Sequence, residues 1–353
     1  MSEAEGRTRP GRKFRAAGAV AAVLALVVAG LHVYRNTDVL TADELCGGLV
    51  STAKAAAVLP GSGRLDGKGG GPAGDLKDTA CEVERTSLVL GSGPGVVSLQ
   101  AWEDHGGSPF VDGGWPDPSG SSFFSGPVTG GADESGGWVL LPEKCWTAKP
   151  LFLRGHSSEP VSRTAAFADL LTDAARSMAA RAGCGDLPEE PGPLLPPRSE
   201  EARPVSEGRV CGLEGFSVRG QVPAGVRVLE TGQTAPADLW SCTLFLDDYS
   251  PEAVRREGFT TYAASRDPLL IAAVRKSPGT SEGEAPDGRE AEDAKKARIV
   301  LPCAQGALYL AADPGAQYVK ARRSRSGIPE WDTNFESFVK SAAEAFDCAT
   351  ATN

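Results

Sequence analysis

The chain is 353 residues long, which is too long for one ordinary domain and suits two domains of about 150 residues each. Its formal net charge is −10, with +3 on the first 34 residues and therefore −13 on the rest, so repulsion of phosphate argues against nucleic acid as a partner. Only 3 residues are histidine, which leaves little material for histidine-based catalysis.

The amino terminus contains an apolar segment, residues 16–34, that has no Asp, Glu, Lys or Arg. At about 1.5 Å per residue, a helix of this length just crosses the hydrocarbon core of a bilayer. Residues 1–15 carry an excess of Lys and Arg, which predicts a cytoplasmic tail and an outer location for everything beyond the span. The alternative is a cleaved signal peptide, but residues 31–35 are mostly bulky where a cleavage site needs small residues. We therefore predict an uncleaved, single-pass anchor in the cell membrane.

The eight cysteines form two sets of four at similar spacings. In chain order they are Cys46, Cys81, Cys145 and Cys184, followed by Cys211, Cys242, Cys303 and Cys348. Corresponding members lie 158 to 165 residues apart, which predicts a duplicated domain in an oxidising compartment. We place the first domain at 35–185 and the second at 209–353. The proline-rich stretch 186–208 between them predicts a semi-rigid linker.

The two domains differ most at their beginnings. Thr41 and Glu44 form a capping-box pattern, which predicts a helix ending near Pro60. After Cys211, by contrast, three glycines follow within nine residues and make a matching helix improbable.

The remaining elements predict a similar order in both domains. The polar stretches 61–78 and 277–296 are typical of long solvated loops. Val139–Cys145 and Ile299–Cys303 each precede a short apolar run, which predicts a β-hairpin that carries the third cysteine. Apolar residues at helical spacing begin at Phe167 and again at Phe335, predicting a final amphipathic helix in each domain. The fold class is therefore α+β, with helices packed on an antiparallel sheet in two tandem domains.

Four cysteines allow three pairings within each domain, and the sequence does not choose among them. We favour local pairs because they keep each domain self-contained. These pairs are Cys46 with Cys81, Cys145 with Cys184, Cys211 with Cys242, and Cys303 with Cys348. Each closes a loop of 31 to 45 residues and would contribute about 3 to 4 kcal/mol. Because no C-x-x-C pair occurs, we predict neither a metal site nor any cofactor.

The beginning of the first domain resembles a known group of domains. Residues 43–59 read DELCGGLVSTAKAAAVL, and Cys81 follows about 35 residues later and leads into a strand. This pattern is similar to the cysteine-containing cell-envelope domains of unknown function that are common in actinobacteria, several of which look like α/β/α sandwiches of the PsbP-like type. The likeness covers 41–185 and, more loosely, 209–353. It implies the fold and an envelope location, and it brings no catalytic residues.

Two features are candidate contact sites. Trp115 lies in the loop 108–124, where we predict partial exposure and therefore a possible ligand contact, with core packing as the alternative. Glu103, Asp104 and His105 follow a strand that ends in Trp102. They offer oxygen and nitrogen ligands to a cation, but a solvated turn is the better interpretation of this composition.

The predicted function is a membrane-anchored binding, sensing or structural module of the bacterial cell envelope, without catalysis. Its predicted partners are the membrane, through residues 16–34, and an envelope protein or ligand. The alternative is an envelope serine hydrolase or acyltransferase, because Ser51-Thr-Ala-Lys54 matches the S-x-x-K pattern in which a lysine activates a serine. The companion S-D-N and K-T-G elements do not occur in the sequence, which disfavours that alternative.

Overall fold

The structure, a computed structural model, describes most of the chain beyond the first ten residues. The described residues are 11–39, 41–70, 75–86, 95–111, 114–195, 202–218, 225–233, 235–247, 258–293, 297–324 and 332–348. They form an α+β protein with antiparallel sheets, four disulfides and one apolar helix near the amino terminus.

Helix α1, Gly11–Asn36, is the apolar helix. Its stretch Ala19–Asn36 has a mean hydropathy of 1.6 and none of it is buried against the rest of the chain. The helix is long and apolar enough to cross a membrane, a property that a secretory signal sequence shares. Together with the disulfides, it indicates a membrane-anchored or secreted protein.

The segment after α1 does not form the long helix predicted from Thr41. It forms a small hairpin of β1, Glu44–Leu45, and β2, Val50–Ser51, and only then the short helix α2, Thr52–Val58. The prediction is wrong in its first half because residues 46–48 have φ values of 51°, 66° and 89°. A right-handed helix cannot contain three consecutive residues with left-handed backbone.

The first half of the chain builds a seven-stranded antiparallel sheet with the order β3-β4-β5-β9-β8-β7-β6. Its strands are β3 Arg64–Gly69, β4 Ala80–Thr86, β5 Gly95–Glu103, β6 Ser122–Phe124, β7 Thr129–Ala132, β8 Gly136–Leu140 and β9 Leu151–Ser157. One helical turn, α3 Ser108–Val111, follows β5, and the long helix α4 Thr164–Ala182 follows β9. The predicted amphipathic helix at Phe167 is confirmed, and it ends at Gly183 in left-handed conformation.

The second half builds an eight-stranded antiparallel sheet with the order β10-β13-β14-β15-β19-β18-β17-β16. The strands of this sheet are β10 Arg203–Pro204, β13 Val228–Gly232, β14 Leu239–Leu246, β15 Thr260–Ser265, β16 Ser281–Glu284, β17 Glu290–Asp293, β18 Arg298–Cys303 and β19 Gly306–Pro314. A separate hairpin consists of β11 Arg209–Val210 and β12 Leu213–Glu214. The helices of the second half are α5 Pro268–Lys276, α6 Ala316–Ser324 and α7 Asp332–Ala345. The predicted helix at Phe335 lies within α7.

Both stretches predicted to be long solvated loops contain strands. The first contains β3, and the second contains β16 and β17. These strands lie at or next to the edge of their sheets, so they bury few side chains. Polar and glycine-rich residues are compatible with such positions. The loop predictions were wrong because these strands lack the alternation of apolar and polar residues by which a strand is predicted.

Apart from the extra edge strand β10, the two sheets have the same strand order. In both, three sequential strands are followed by four that return in reverse order. Cys46 and Cys211 both lie at the turn of a small hairpin, with φ values of 51° and 57°. The disulfides to Cys81 and Cys242 fasten these turns to the second main strand of each sheet, β4 and β14.

The other two disulfides also occupy matching places. The Cys145–Cys184 bond joins the connection after β8 to the end of α4. The Cys303–Cys348 bond joins the end of β18 to the chain just after α7. The structure therefore contains the four favoured pairs, and no free cysteine is found among the described residues.

The two halves share one of the two hydrophobic cores. The first core includes the buried faces of α2 and α4, and it continues across the boundary into α5 and the side chains of Leu239, Ala263 and Tyr309. The second core lies between α7 and the opposite face of the second sheet. The second sheet is thus covered by α7 on one face and by α5 with the first half on the other.

Hydrogen bonds and ring contacts join the end of α1 to one edge of the first sheet. The backbone N–H of Gly63 donates to the Asn36 carbonyl at 3.1 Å, and the Arg64 guanidinium lies 4.3 Å from the centre of the Tyr34 ring. Asp38 accepts from the Leu65 N–H at 2.8 Å and from Arg85 at 3.0 Å. The first sheet is therefore attached directly at the end of the apolar helix.

Candidate functional site

One face of the first sheet is only partly covered. Leu99 and Gly155 face Phe167 and Leu171 of α4, so residues that alternate with them face the opposite way. On that opposite face the second half covers the part around β8, through contacts such as the 6.5 Å approach of the Phe110 and Tyr309 rings. Among the described residues, the outward side chains of β3, β4 and β5 are exposed or partly exposed, so this part of the face is open there.

Trp102 stands out on this open face because its side chain is 41 % exposed. Among the described residues beyond position 39, only Trp102 and Val319 are exposed large apolar side chains. On β5, Trp102 follows Ser98 and Gln100 on the same face. A single indole therefore projects from a polar sheet surface.

The guanidinium of Arg154 lies between two indole rings. Its carbon is 5.3 Å from the centre of the Trp102 ring and 4.4 Å from that of Trp115, within the range of cation–π attraction. Arg154 also donates to the Gly114 carbonyl, which holds it in place. Partial burial lowers the pKa of Arg154, and the charge of Asp104 opposes that shift.

Asp104 orients the Trp102 indole. Its carboxylate accepts from the Trp102 Nε1–H at 3.2 Å and from the His105 backbone N–H at 2.8 Å. Burial opposes the ionisation of this carboxyl, but the hydrogen bonds outweigh burial and hold its pKa below the usual value. The hydrogen bond from the Trp102 Nε1–H thus holds this ring in place.

Trp115 is partly exposed, and its ring packs against aromatic side chains of the sheet. Its ring meets the Phe152 ring at 5.0 Å and the Trp138 ring at 6.5 Å, both edge to face. The structure therefore places the Trp115 singled out in the sequence next to Trp102, which the sequence analysis did not assign to a site. The signal for Trp102 was available, since in the predicted strand it alternates with Val97, Leu99 and Ala101.

The Glu103, Asp104 and His105 cluster does not form a cation site in the described structure. Asp104 is engaged as above, and Glu103 accepts from the Thr147 hydroxyl. Three potential ligands come close together elsewhere, at Cys211, Glu230 and Cys242, but both of these cysteines are in a disulfide. The Glu230 carboxylate there accepts from the Cys211 N–H and from Arg203, which makes it a structural group.

Ser51 and Lys54 are not brought together. The Lys54 ammonium donates to the Glu189 carbonyl at 3.2 Å, and the Ser51 backbone N–H donates to Asp173 at 3.3 Å. Within the described residues no hydrogen bond joins the Ser51 hydroxyl to Lys54. A lysine that activates a serine must lie within hydrogen-bond reach of its hydroxyl.

A shallow cleft of about 460 Å³ lies beside the last disulfide. Its lining side chains carry both signs of charge: Asp287, Arg289, Lys340, Glu344 and Asp347. Arg289 is paired with Asp287 at 2.6 Å and also donates to the Cys348 carbonyl. The cleft is therefore a surface of paired charges beside the Cys303–Cys348 disulfide.

The chain matches no family model, no curated protein and no solved structure. Two indoles, one of them open to solvent, and a neighbouring strand of hydrogen-bonding side chains can hold a ligand by stacking and polar contacts.

Proposed function

We propose that this chain is a single-pass membrane protein whose outer part is a non-catalytic binding, sensing or structural module of the bacterial cell envelope. The amino-terminal tail lies in the cytoplasm, and everything beyond α1 lies outside the cell membrane. The outer part consists of two tandem copies of one disulfide-braced α+β domain, of the cell-envelope type that the sequence around Cys46 resembles.

One contrast carries the proposal. None of the apolar stretch Ala19–Asn36 is buried against the described part of the chain, whereas all eight cysteines, which lie beyond it, are in disulfides. An apolar helix without a protein partner is stable in a bilayer, and disulfides persist only in an oxidising compartment. A lipid anchor followed by an outer domain satisfies both conditions.

The matching halves support the tandem arrangement. The strand order, the two cysteine-bearing hairpins and the two terminal helices recur in the same sequence, as an internal duplication requires. The second half lacks a counterpart of α2 among its described residues, so this helix distinguishes the copies. The shared core makes the pair one structural unit on the membrane.

Reporter fusions test the topology. Alkaline phosphatase, which is active only where its own disulfides form, is fused after position 39 and after position 353, and a cytoplasmic reporter serves as the complement. Both phosphatase fusions are expected to be active. Replacing the five basic residues of 1–15 by Ser removes the charge bias and is expected to reduce both activities. Inactive phosphatase at both positions in the unmodified chain contradicts the proposal.

A further inference from the structure

The open face of the first sheet carries a second, more specific inference, which rests on the proposed outer location. We infer that Trp102, flanked by Gln100 and Arg154, is the stacking platform for a neutral sugar ring of an envelope glycan. A sugar ring has a weakly apolar face of C–H bonds and a rim of hydroxyls. It therefore needs one aromatic surface surrounded by hydrogen-bonding groups.

The platform offers both parts. The exposed portion of the Trp102 ring is not covered by Arg154, which lies against the indole system on the side shared with Trp115. Gln100 lies two residues away on the same face, about 7 Å along the strand. Its exposed amide makes no hydrogen bond within the described part of the chain, so both its donors and its acceptor are available.

Electrostatics select a neutral ligand. Glu82 and Glu84 project from β4 onto the same face, and the chain beyond residue 34 carries −13. Polyanionic polymers are repelled by such a surface. Two cations on this face are already engaged: Lys68 pairs with Glu84 at 2.8 Å, and Arg154 contacts the two indoles and the Gly114 carbonyl.

A protein partner fits this surface less well. Protein interfaces bury about 800 Å² on each side and have an apolar centre. Trp102 is instead the only exposed large apolar side chain on the described part of this face, and its neighbours Ser98 and Gln100 are polar. A single aromatic ring surrounded by polar side chains matches one sugar ring in size.

The lipid surface is also excluded by position. Arg64 begins β3 next to the end of α1, and the strand register places Thr86 and Gly95 at the same end of the sheet. Trp102 lies seven residues farther along β5, about 24 Å from that end. The platform therefore lies on the far side of the domain from the membrane and faces the envelope.

The test uses the full chain in lipid nanodiscs, because maltoside detergents would themselves present glucose rings. Its retention is measured on insoluble chitin and on purified bacterial sacculi, with soluble chitotetraose as the competitor. We expect retention that chitotetraose displaces. Trp102→Ala is expected to weaken binding about tenfold or more, and Trp102→Phe to keep part of it. His156→Ala, an exposed change on the same face, serves as the control and is expected to bind normally.

Three results would overturn the inference. The first is no retention of oxidised, folded protein on either material, and the second is unchanged binding by Trp102→Ala. The third is binding to sacculi that disappears when the sacculi are treated with protease, which would identify a protein partner. Unchanged melting temperature of the Trp102 variants shows that they are folded. Each result leaves the topology intact, because the reporter fusions measure it independently.

Discussion

The carboxylate of Asp38 lies 3.0 Å from the guanidinium of Arg85, and this ion pair ties the end of the apolar helix to the first sheet. Arg85 is only 8 % exposed and also donates to the carbonyls of Leu59 and Gly63. One buried cation thus satisfies three acceptors from segments on both sides of the hairpin β1–β2.

Arg85→Met is therefore expected to destabilise the outer part by about 2 to 4 kcal/mol, since it leaves two buried carbonyls without their donor and the partly buried Asp38 carboxylate without its cation. Denaturant unfolding of the full chain in nanodiscs measures the change. The matched control is Lys68→Met, which breaks the exposed Lys68–Glu84 pair on the adjacent strands. That change is expected to leave the free energy of unfolding nearly unchanged, because solvent screens the exposed pair. Equal effects of the two variants would refute the role given to Arg85.

The contact between Gly107 and Tyr309 tests whether the two halves share a core. A Cβ added at Gly107 would lie 2.0 Å from the Tyr309 hydroxyl oxygen, and the backbone of Gly107 is not left-handed, so the obstacle is the contact itself. Gly107→Ala is expected to destabilise the protein by about 1 to 3 kcal/mol through overpacking. Tyr309→Phe removes the obstructing oxygen and should recover part of this loss in the double variant.

The measurement is the free energy of unfolding of four proteins: the wild type, Gly107→Ala, Tyr309→Phe and the double variant. Unfolding is monitored by one probe in each half of the chain. A shared core predicts that Gly107→Ala lowers the transition of both halves together. An effect confined to the first half, or strict additivity of the two changes, would show that the halves are separate.

The pH dependence of the indole cluster follows from Asp104. Its pKa is lowered in the folded chain, so the stability it contributes is present above the unfolded value of about 3.8 and is lost as the pH falls through the lower folded value. The difference in melting temperature between wild type and Asp104→Asn is therefore expected to be largest near neutral pH and to shrink below pH 4. Thermal melts from pH 7 to pH 3 give this difference. A gap that stays constant or widens in acid would contradict the assignment.

Much of the architecture was predictable because it depends on strong local signals. The helices α4 and α7 follow from apolar residues at helical spacing, and the hairpins with Cys145 and Cys303 follow from apolar runs around a turn. The prediction of a long helix from Thr41 was wrong because the capping pattern is local, whereas the left-handed turn at Cys46 is fixed by its disulfide to a distant strand.

What the sequence did not indicate depends on contacts between distant residues. Nothing near Gly107 reveals that Tyr309 fills the space a side chain would need. The candidate site shows the same limit: Trp115 was singled out from its loop, but Trp102 and Arg154 join it only because β5 and β9 are neighbours. Period-two alternation places Trp102 on the outward face, and only the structure shows that this part of the face remains uncovered.

The most direct test of the account is the redox state of the eight cysteines together with their cellular fraction. Cells are lysed without reductant, fractionated, and the denatured chain is treated with a maleimide of high mass before and after reduction. We predict that the chain is recovered with membranes, that no cysteine reacts before reduction, and that eight react afterwards. Recovery of the intact chain in the soluble cytosolic fraction, with eight thiols that react at once, would contradict it.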